Sequence, residues 1–348
     1  MDKLKNIIKN NESLYGIIFW INTTRFYKAI LKKLKKHSYV IVVDTHVGHY
    51  MMTLSAIRVY KECKSIKKLG VIIDRRYSDM VNMWSEDIDD VIVVDDTSKL
   101  FRLNKYIYIH KFLFTKCDER IIPYYFGNGS YGMYKIFMTS HYKYINDNEA
   151  RISDLATHNL SFGDVNVNSL LQLKLGQKLS IPCLKLKDED IELFKSLNMP
   201  NGKGLLIIPS AQCSESLGVS LLRKITATAS KSGLKVYLNC SKGEKPFDDS
   251  VTPLSLDITQ TLKASVYLGH VVASQSGLID TLLMARFKNM KIITYLGNKY
   301  DKRLGYFIEH QNTMLKETGM SSDIYINIDI NDPIDEDEIV RKVFKGWE

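Results

Sequence analysis

The chain has no run approaching the roughly 20 consecutive apolar residues of a membrane-spanning helix. Its start also lacks the charged, apolar and small-residue regions, in that order, of an export signal. Cysteine is scarce, with five in 348 residues. Cys63, Cys117, Cys183, Cys213 and Cys240 lie far apart and form no CxxC pair. That excludes a disulfide scaffold and fits a reducing compartment, so a cytoplasmic protein is expected. Zinc-finger spacing and RNP-type aromatic strands are missing too, so no nucleic-acid partner is expected despite a net charge of +9.

What is present is ordinary for a soluble globular protein: 45% hydrophobic and 25% charged residues. The length suits two domains of roughly 150 residues each better than one core. Charge is uneven, with basic clusters at Lys32 to Lys36 and Lys64 to Lys68 and an acidic patch from Glu86 to Asp96. The apolar and aromatic stretch Leu14 to Leu31 precedes the first basic cluster. It reads either as an interfacial helix on an anionic membrane or as a helix packed on its own domain.

Short apolar strands alternate with helical patterns, the signature of parallel α/β units. Strands are expected at Tyr39 to Val43, Leu69 to Ile73, Val91 to Val94 and Tyr106 to Ile109, with helices at Met51 to Lys64 and around Ser78 to Trp84. The aromatic and glycine-rich stretch Tyr124 to Tyr134 reads as a mobile loop over a cleft or as a surface turn. Helices are expected within Ile145 to Leu175, a linker at Ile181 to Asp188 and a short helix at Glu189 to Leu197. A second series follows: strand from Gly204, helix Val219 to Ser230, strand Lys235 to Leu238, a loop to Pro253, helix around Thr259 to Ala264, strand Tyr267 to Ala273, helix Gly277 to Ala285 and strand Lys291 to Leu296. The closing stretch Ile334 to Lys345 puts carboxylates first and cations last, which complements a helix dipole.

Two strand-to-helix turns stand out, Asp44-Thr45-His46-Val47-Gly48-His49 and Ser274-Gln275-Ser276-Gly277. Each follows an apolar strand, and each delivers a helix N-terminus whose unpaired N–H groups suit an anion. Neither half is expected to carry the G-x-G-x-x-G of dinucleotide sites, which speaks against a dinucleotide enzyme. Asp44, His46 and His49 offer ligand types that zinc or iron accepts, but no distant cluster completes a shell, so no metal site is expected.

The succession of α/β units, with Val40 to Tyr60 and Gly204 to Leu296 carrying the likeness, resembles the GT-B glycosyltransferases, and among them the heptosyltransferase-like family of lipopolysaccharide and capsule synthesis. The resemblance implies two Rossmann-like domains with an interdomain cleft: an acceptor-side domain over 1–180, a nucleotide-sugar domain over 181–330, and a C-terminal helix within 331–348 packing back toward the first domain. It implies transfer of a sugar from a nucleotide-diphosphate donor to a hydroxyl of a cell-envelope glycan or lipid-linked saccharide. Inversion is expected, with no cofactor beyond the donor substrate and, since neither turn contains DxD, without a metal.

In that family an acidic residue follows the first-turn glycine and serves as base. Here His49 stands there, with His46 and Asp44 in reserve; a neutral imidazole near pH 7 can take the acceptor's proton. Ser274, Gln275, Ser276, Gly277 and Asp280 match the family's motif at the donor diphosphate, where Gln275 replaces a common acidic residue and Asp280 a common histidine. The turn Pro209 to Ser214 resembles a phosphate-side turn in which Ser210 and Ser214 donate to the leaving diphosphate, without the usual lysine. Asn239, Ser241 and Glu244 are candidate nucleoside contacts, Glu244 as ribose acceptor. The same scaffold leaves open a sugar-nucleotide epimerase or hydrolase, and a non-catalytic binding or interaction protein.

Overall fold

The computed structural model describes residues 32–43, 47–63, 65–95, 121–125, 179–210, 215–297 and 307–347, with isolated helical positions at 21, 25 and 29. The chain forms two compact units, with described residues through Ser180 in the first and those from Ile181 in the second. Of the expected elements, the strand at Tyr106 to Ile109 and the helices within Ile145 to Leu175 lie outside the described residues. So does most of Leu14 to Leu31. Among the described residues, no helix is long and apolar enough to cross a membrane.

The first unit carries strands β1 (Ser38–Val43), β2 (Leu69–Asp74), β3 (Asp90–Val94) and β4 (Ile121–Tyr125). They pair in the order β3-β2-β1-β4, every pairing parallel. All six residues of β2 are buried, so its sequence LGVIID reads as a continuous apolar run instead of an alternating one. Helix α1 (Val47–Cys63) returns the chain from β1 and begins four residues earlier than its apolar pattern suggests. The crossover after β2 is wound as a 3-10 helix over Arg75–Trp84, started by the Asp74 carboxylate accepting from the Arg76 N–H. Its apolar side buries Tyr77, Met80, Val81, Met83 and Trp84, and the Tyr77 ring stacks on Tyr50 of α1 at 4.0 Å between centroids.

β4 includes Tyr124 and Tyr125, which the glycine and aromatic composition assigns to a loop; pairing with β1 in the middle of the sheet overrides that composition. The acidic patch is not a separate surface. Asp90 takes Lys35 of the first basic cluster at 3.0 Å, and Asp89 takes Lys61 at 2.7 Å.

The second unit begins with α2 (Asp188–Ser196) and continues with β5 (Gly204–Ile208), α3 (Val219–Lys231), β6 (Lys235–Asn239), β7 (Thr252–Leu254), α4 (Ile258–Leu268), β8 (Gly269–Ser274), α5 (Gly277–Met284), β9 (Met290–Leu296), α6 (Phe307–Thr318), β10 (Tyr325–Asp329) and α7 (Glu336–Phe344). The sheet order is β10-β9-β8-β5-β6-β7, again wholly parallel. The chain therefore winds outward from β5 to one edge, then returns to lay β8 on the other side of β5, as in a Rossmann sheet.

Three local readings change. The expected strand Tyr267 to Ala273 starts two residues late, because α4 runs on through Leu268 and stops only at Gly269, which takes φ +94° as a left-handed cap. The expected loop before Pro253 ends in the short edge strand β7, with Pro253 at the sheet margin where its missing N–H does least harm. Helix α6 and strand β10 complete the sheet beyond the elements read from the sequence.

Helix α7 matches its expected polarity, with Asp335 capping the Asp337 and Glu338 N–H groups, acids in the first turn and Arg341 and Lys342 in the last. Ile339, Val340 and Val343 are spent in the second unit's core with Leu221, Ile225, Val272, Ile293 and Ile328. Lys224 of α3 secures it further, reaching Asp337 at 2.7 Å and Glu336 at 3.3 Å.

Candidate functional site

In an open parallel sheet, ligands bind outside the carboxyl ends of the strands where the winding reverses. In the second unit that reversal lies between β5 and β8. The segments leaving these strands are Pro209 onward and Ser274 to Gly277, the two that the resemblance assigns to the donor diphosphate. They are physically joined, since the Ser274 hydroxyl donates to the Glu215 carbonyl at 2.8 Å. Leu217 N–H closes the first loop onto the Pro209 carbonyl at 2.8 Å. Ser210 is exposed at this edge, whereas Ser214 lies outside the described residues.

Ser276 is the N-cap of α5, in extended backbone with φ −162° and ψ 161°. A serine there ordinarily bonds an N–H of the first turn. This one makes no cap bond, and its buried Oγ has no hydrogen-bond partner among the described residues. The N–H groups of Ile279 and Asp280 turn back to the Ser276 carbonyl at 3.0 and 3.1 Å. Those of Gly277 and Leu278 have no backbone acceptor among the described residues, as expected of the first N–H groups of a helix.

Behind this turn lies a buried polar chain. Gln275, 4% exposed, donates from Nε2 to Asp280 Oδ1 at 3.1 Å, which leaves its buried Oε1 without a partner among the described residues. The other Asp280 oxygen meets His310 Nε2 of α6 at 3.1 Å. Burial works against the His310 cation, but the charge and hydrogen bond of Asp280 outweigh it and raise the imidazole above its ordinary value. The Tyr325 phenol at the start of β10 is pushed well above its ordinary value, by burial first and the Asp280 charge second, so it stays protonated. His310 and Tyr325 escaped the sequence reading because α6 and β10 did. The recurrence of buried Phe307, Gln311 and Met314 at helical spacing is the signal that locates α6.

The remaining candidates separate. Asn239 ends β6 with its amide committed, donating to Thr261 Oγ1 at 3.1 Å and accepting from Leu256 N–H at 3.4 Å. Glu244 accepts from the Ser241 N–H at 3.0 Å and so closes its own exposed turn. In the first unit the reversal lies between β1 and β4, and the turn Asp44 to His49 follows β1 at that point. The backbone of His49 lies in the first turn of α1; Asp44, His46 and the His49 side chain lie outside what is described. The expectation that neither half carries G-x-G-x-x-G is corrected by the sequence itself, where the spacing occurs at Gly127, Gly129 and Gly132, shortly after β4 and outside the described residues. Among the described residues no three His, Cys, Asp or Glu side chains gather as a metal set.

No protein-family model matches the chain, and no curated protein matches it in sequence. Solved structures do match in fold. ADP-heptose LPS heptosyltransferase II of E. coli superposes with a TM-score of 0.58 at 10% identity, over 88% of this chain and 98% of that one. A glycosyl transferase family 9 structure from Veillonella parvula DSM 2008 gives 0.53 at 13% identity, over 90% and 92%. At these identities the likeness concerns the fold: two Rossmann-like α/β units of the kind expected for a GT-B protein.

Proposed function

We propose that the chain is a heptosyltransferase-like GT-B glycosyltransferase, moving a sugar from a nucleotide-diphosphate donor to a hydroxyl of a cell-envelope glycan or lipid-linked saccharide. The observation that carries this reading is the Ser274 to Gly277 turn, which puts a helix N-terminus and two buried oxygens, unpaired among the described residues, at the strand reversal of the second sheet. The likeness in fold to two named transferases over most of their lengths supports the class. The name of the first, an ADP-heptose enzyme, makes a nucleoside-diphosphate heptose the donor to try first.

In this mechanism the N–H groups of Gly277 and Leu278 and the Ser276 hydroxyl hold the charge that grows on the departing diphosphate. Gln275 Oε1, which can only accept, takes a hydroxyl of the donor. His49, with His46 and Asp44 in reserve, removes the proton of the acceptor hydroxyl, and direct displacement inverts the anomeric centre. Exposed Lys32, Lys33 and Lys36 provide peripheral contact with an anionic membrane surface near the acceptor.

The test is incubation of the purified chain with a panel of sugar nucleotides, with and without cell-envelope extract. Nucleoside-diphosphate release that requires the extract is the expected result. Release without acceptor would point to a hydrolase, a rearranged sugar nucleotide to an epimerase, and binding without turnover to a non-catalytic protein.

A further inference from the structure

Helix α6 meets the second sheet through polar side chains. Gln311, 3% exposed, donates to Thr294 Oγ1 at 3.1 Å and Asn327 Oδ1 at 3.0 Å, and accepts from Asn327 Nδ2 at 3.0 Å. These bonds fix the register of α6 on β9 and β10, and so fix His310, one residue earlier, against Asp280.

Asp280 sits one helical turn inside α5, its N–H bonded to the Ser276 carbonyl. A carboxylate about 6 Å from a helix end stabilises the helix but opposes any anion arriving at the same N–H groups. An imidazolium on its far oxygen makes the pair neutral and removes that opposition. The near Asp280 oxygen accepts from Gln275 Nε2, so the Gln275 carbonyl oxygen faces away from the pair and has no partner among the described residues. Among the described residues, the other titratable group facing the pair is the Tyr325 phenol, which stays neutral; Gln275 and Gln311 carry no charge.

We propose that His310 is a positioning residue for a diphosphate-bearing ligand of the Ser274 to Gly277 turn, cancelling the Asp280 carboxylate from behind and orienting the Gln275 amide. The proposal rests on the donor-site reading above, and it assigns a role to a residue far along the chain from that motif.

The experiment is calorimetric titration of the full chain with ADP, UDP, GDP, CDP and inorganic pyrophosphate, for wild type, His310→Gln, Asp280→Asn and the double variant. Asparagine at 280 keeps both bonds, its oxygen accepting from Gln275 and its NH2 donating to a neutral His310. His310→Gln is expected to weaken diphosphate binding by about tenfold or more, the effect of an uncancelled charge one turn away. Asp280→Asn is expected to bind at least as tightly as wild type, and the double variant to recover what His310→Gln loses.

A purely structural bond would instead make both single variants weaker, so weakened binding in Asp280→Asn overturns the proposal. Unchanged binding in a folded His310→Gln does the same and leaves the donor site standing. Should His310→Gln not fold, Asp280→Asn and the double variant decide by the same criteria. A wild-type chain that binds none of the five probes overturns the donor-site reading and this proposal with it.

Discussion

The hydroxyl of Ser274, at the end of β8, donates to the carbonyl of Glu215 at 2.8 Å, and this one bond ties together the two loops that leave the strand reversal of the second sheet. Ser274 is fully buried, so no water competes for the bond. Its loss in Ser274→Ala is expected to cost about 1 kcal/mol. The change should appear as a lower urea midpoint with an unaltered slope, and as weaker nucleoside-diphosphate binding. A variant with wild-type stability and affinity would show that the tie does not organise the site.

The Asp280–His310 pair makes the second unit's stability depend on pH. Burial opposes the His310 cation, yet the charge and hydrogen bond of Asp280 prevail, so the folded-state value lies above the ordinary 6.5. The stabilisation is therefore complete below that ordinary value and is lost as pH rises through the folded one. Denaturation of wild type should be easier at about pH 8.5 than at about pH 6, and His310→Gln should flatten that part of the difference. A variant whose stability falls just as steeply over the same interval would refute the linkage.

His49→Ala should lower turnover by about a hundredfold or more, the usual contribution of a general base, while nucleoside-diphosphate affinity stays unchanged. The measurement is kcat alongside the dissociation constant of the diphosphate product. Unaffected turnover would move the role of base to Asp44 or His46.

Val343 of α7 is fully buried in the second unit's core. Val343→Ala should cost about 2 kcal/mol through lost burial and an unfilled space. The neighbouring exposed Lys342→Ala should change stability by no more than about 0.5 kcal/mol. Thermal unfolding of the two variants side by side tests whether this helix belongs to the unit's cooperative core.

What could be read from the sequence followed the burial of each element. Strands buried on both faces, such as Gly204–Ile208, announce themselves as apolar runs, and the glycine-bearing turn after Ser274 marks a strand-to-helix junction without tertiary information. Helix α6 and strand β10 do not, because their inward side chains include Gln311 and Asn327, polar groups that satisfy one another only after the chain has folded. The same cause hid His310. Asp280 was visible as a departure from the family's histidine, but nothing local says that an imidazole arrives from another helix. Asn239 and Glu244 show the converse: polar residues at a strand end read as ligand contacts from sequence, and only the fold shows that they also bond Thr261, Leu256 and Ser241.

The placement of α7 also has a bearing on synthesis. Its side chains Ile339, Val340 and Val343 share one core with Leu205 of β5 and Val272 of β8. A ribosome delivers β5 before α7, so the sheet must wait, with that apolar face uncovered, until α7 emerges. During that interval the growing chain is a natural client for chaperones. A chain truncated before Asp335 should remain one, accumulating as aggregate while its Ser274 to Gly277 turn is intact in sequence.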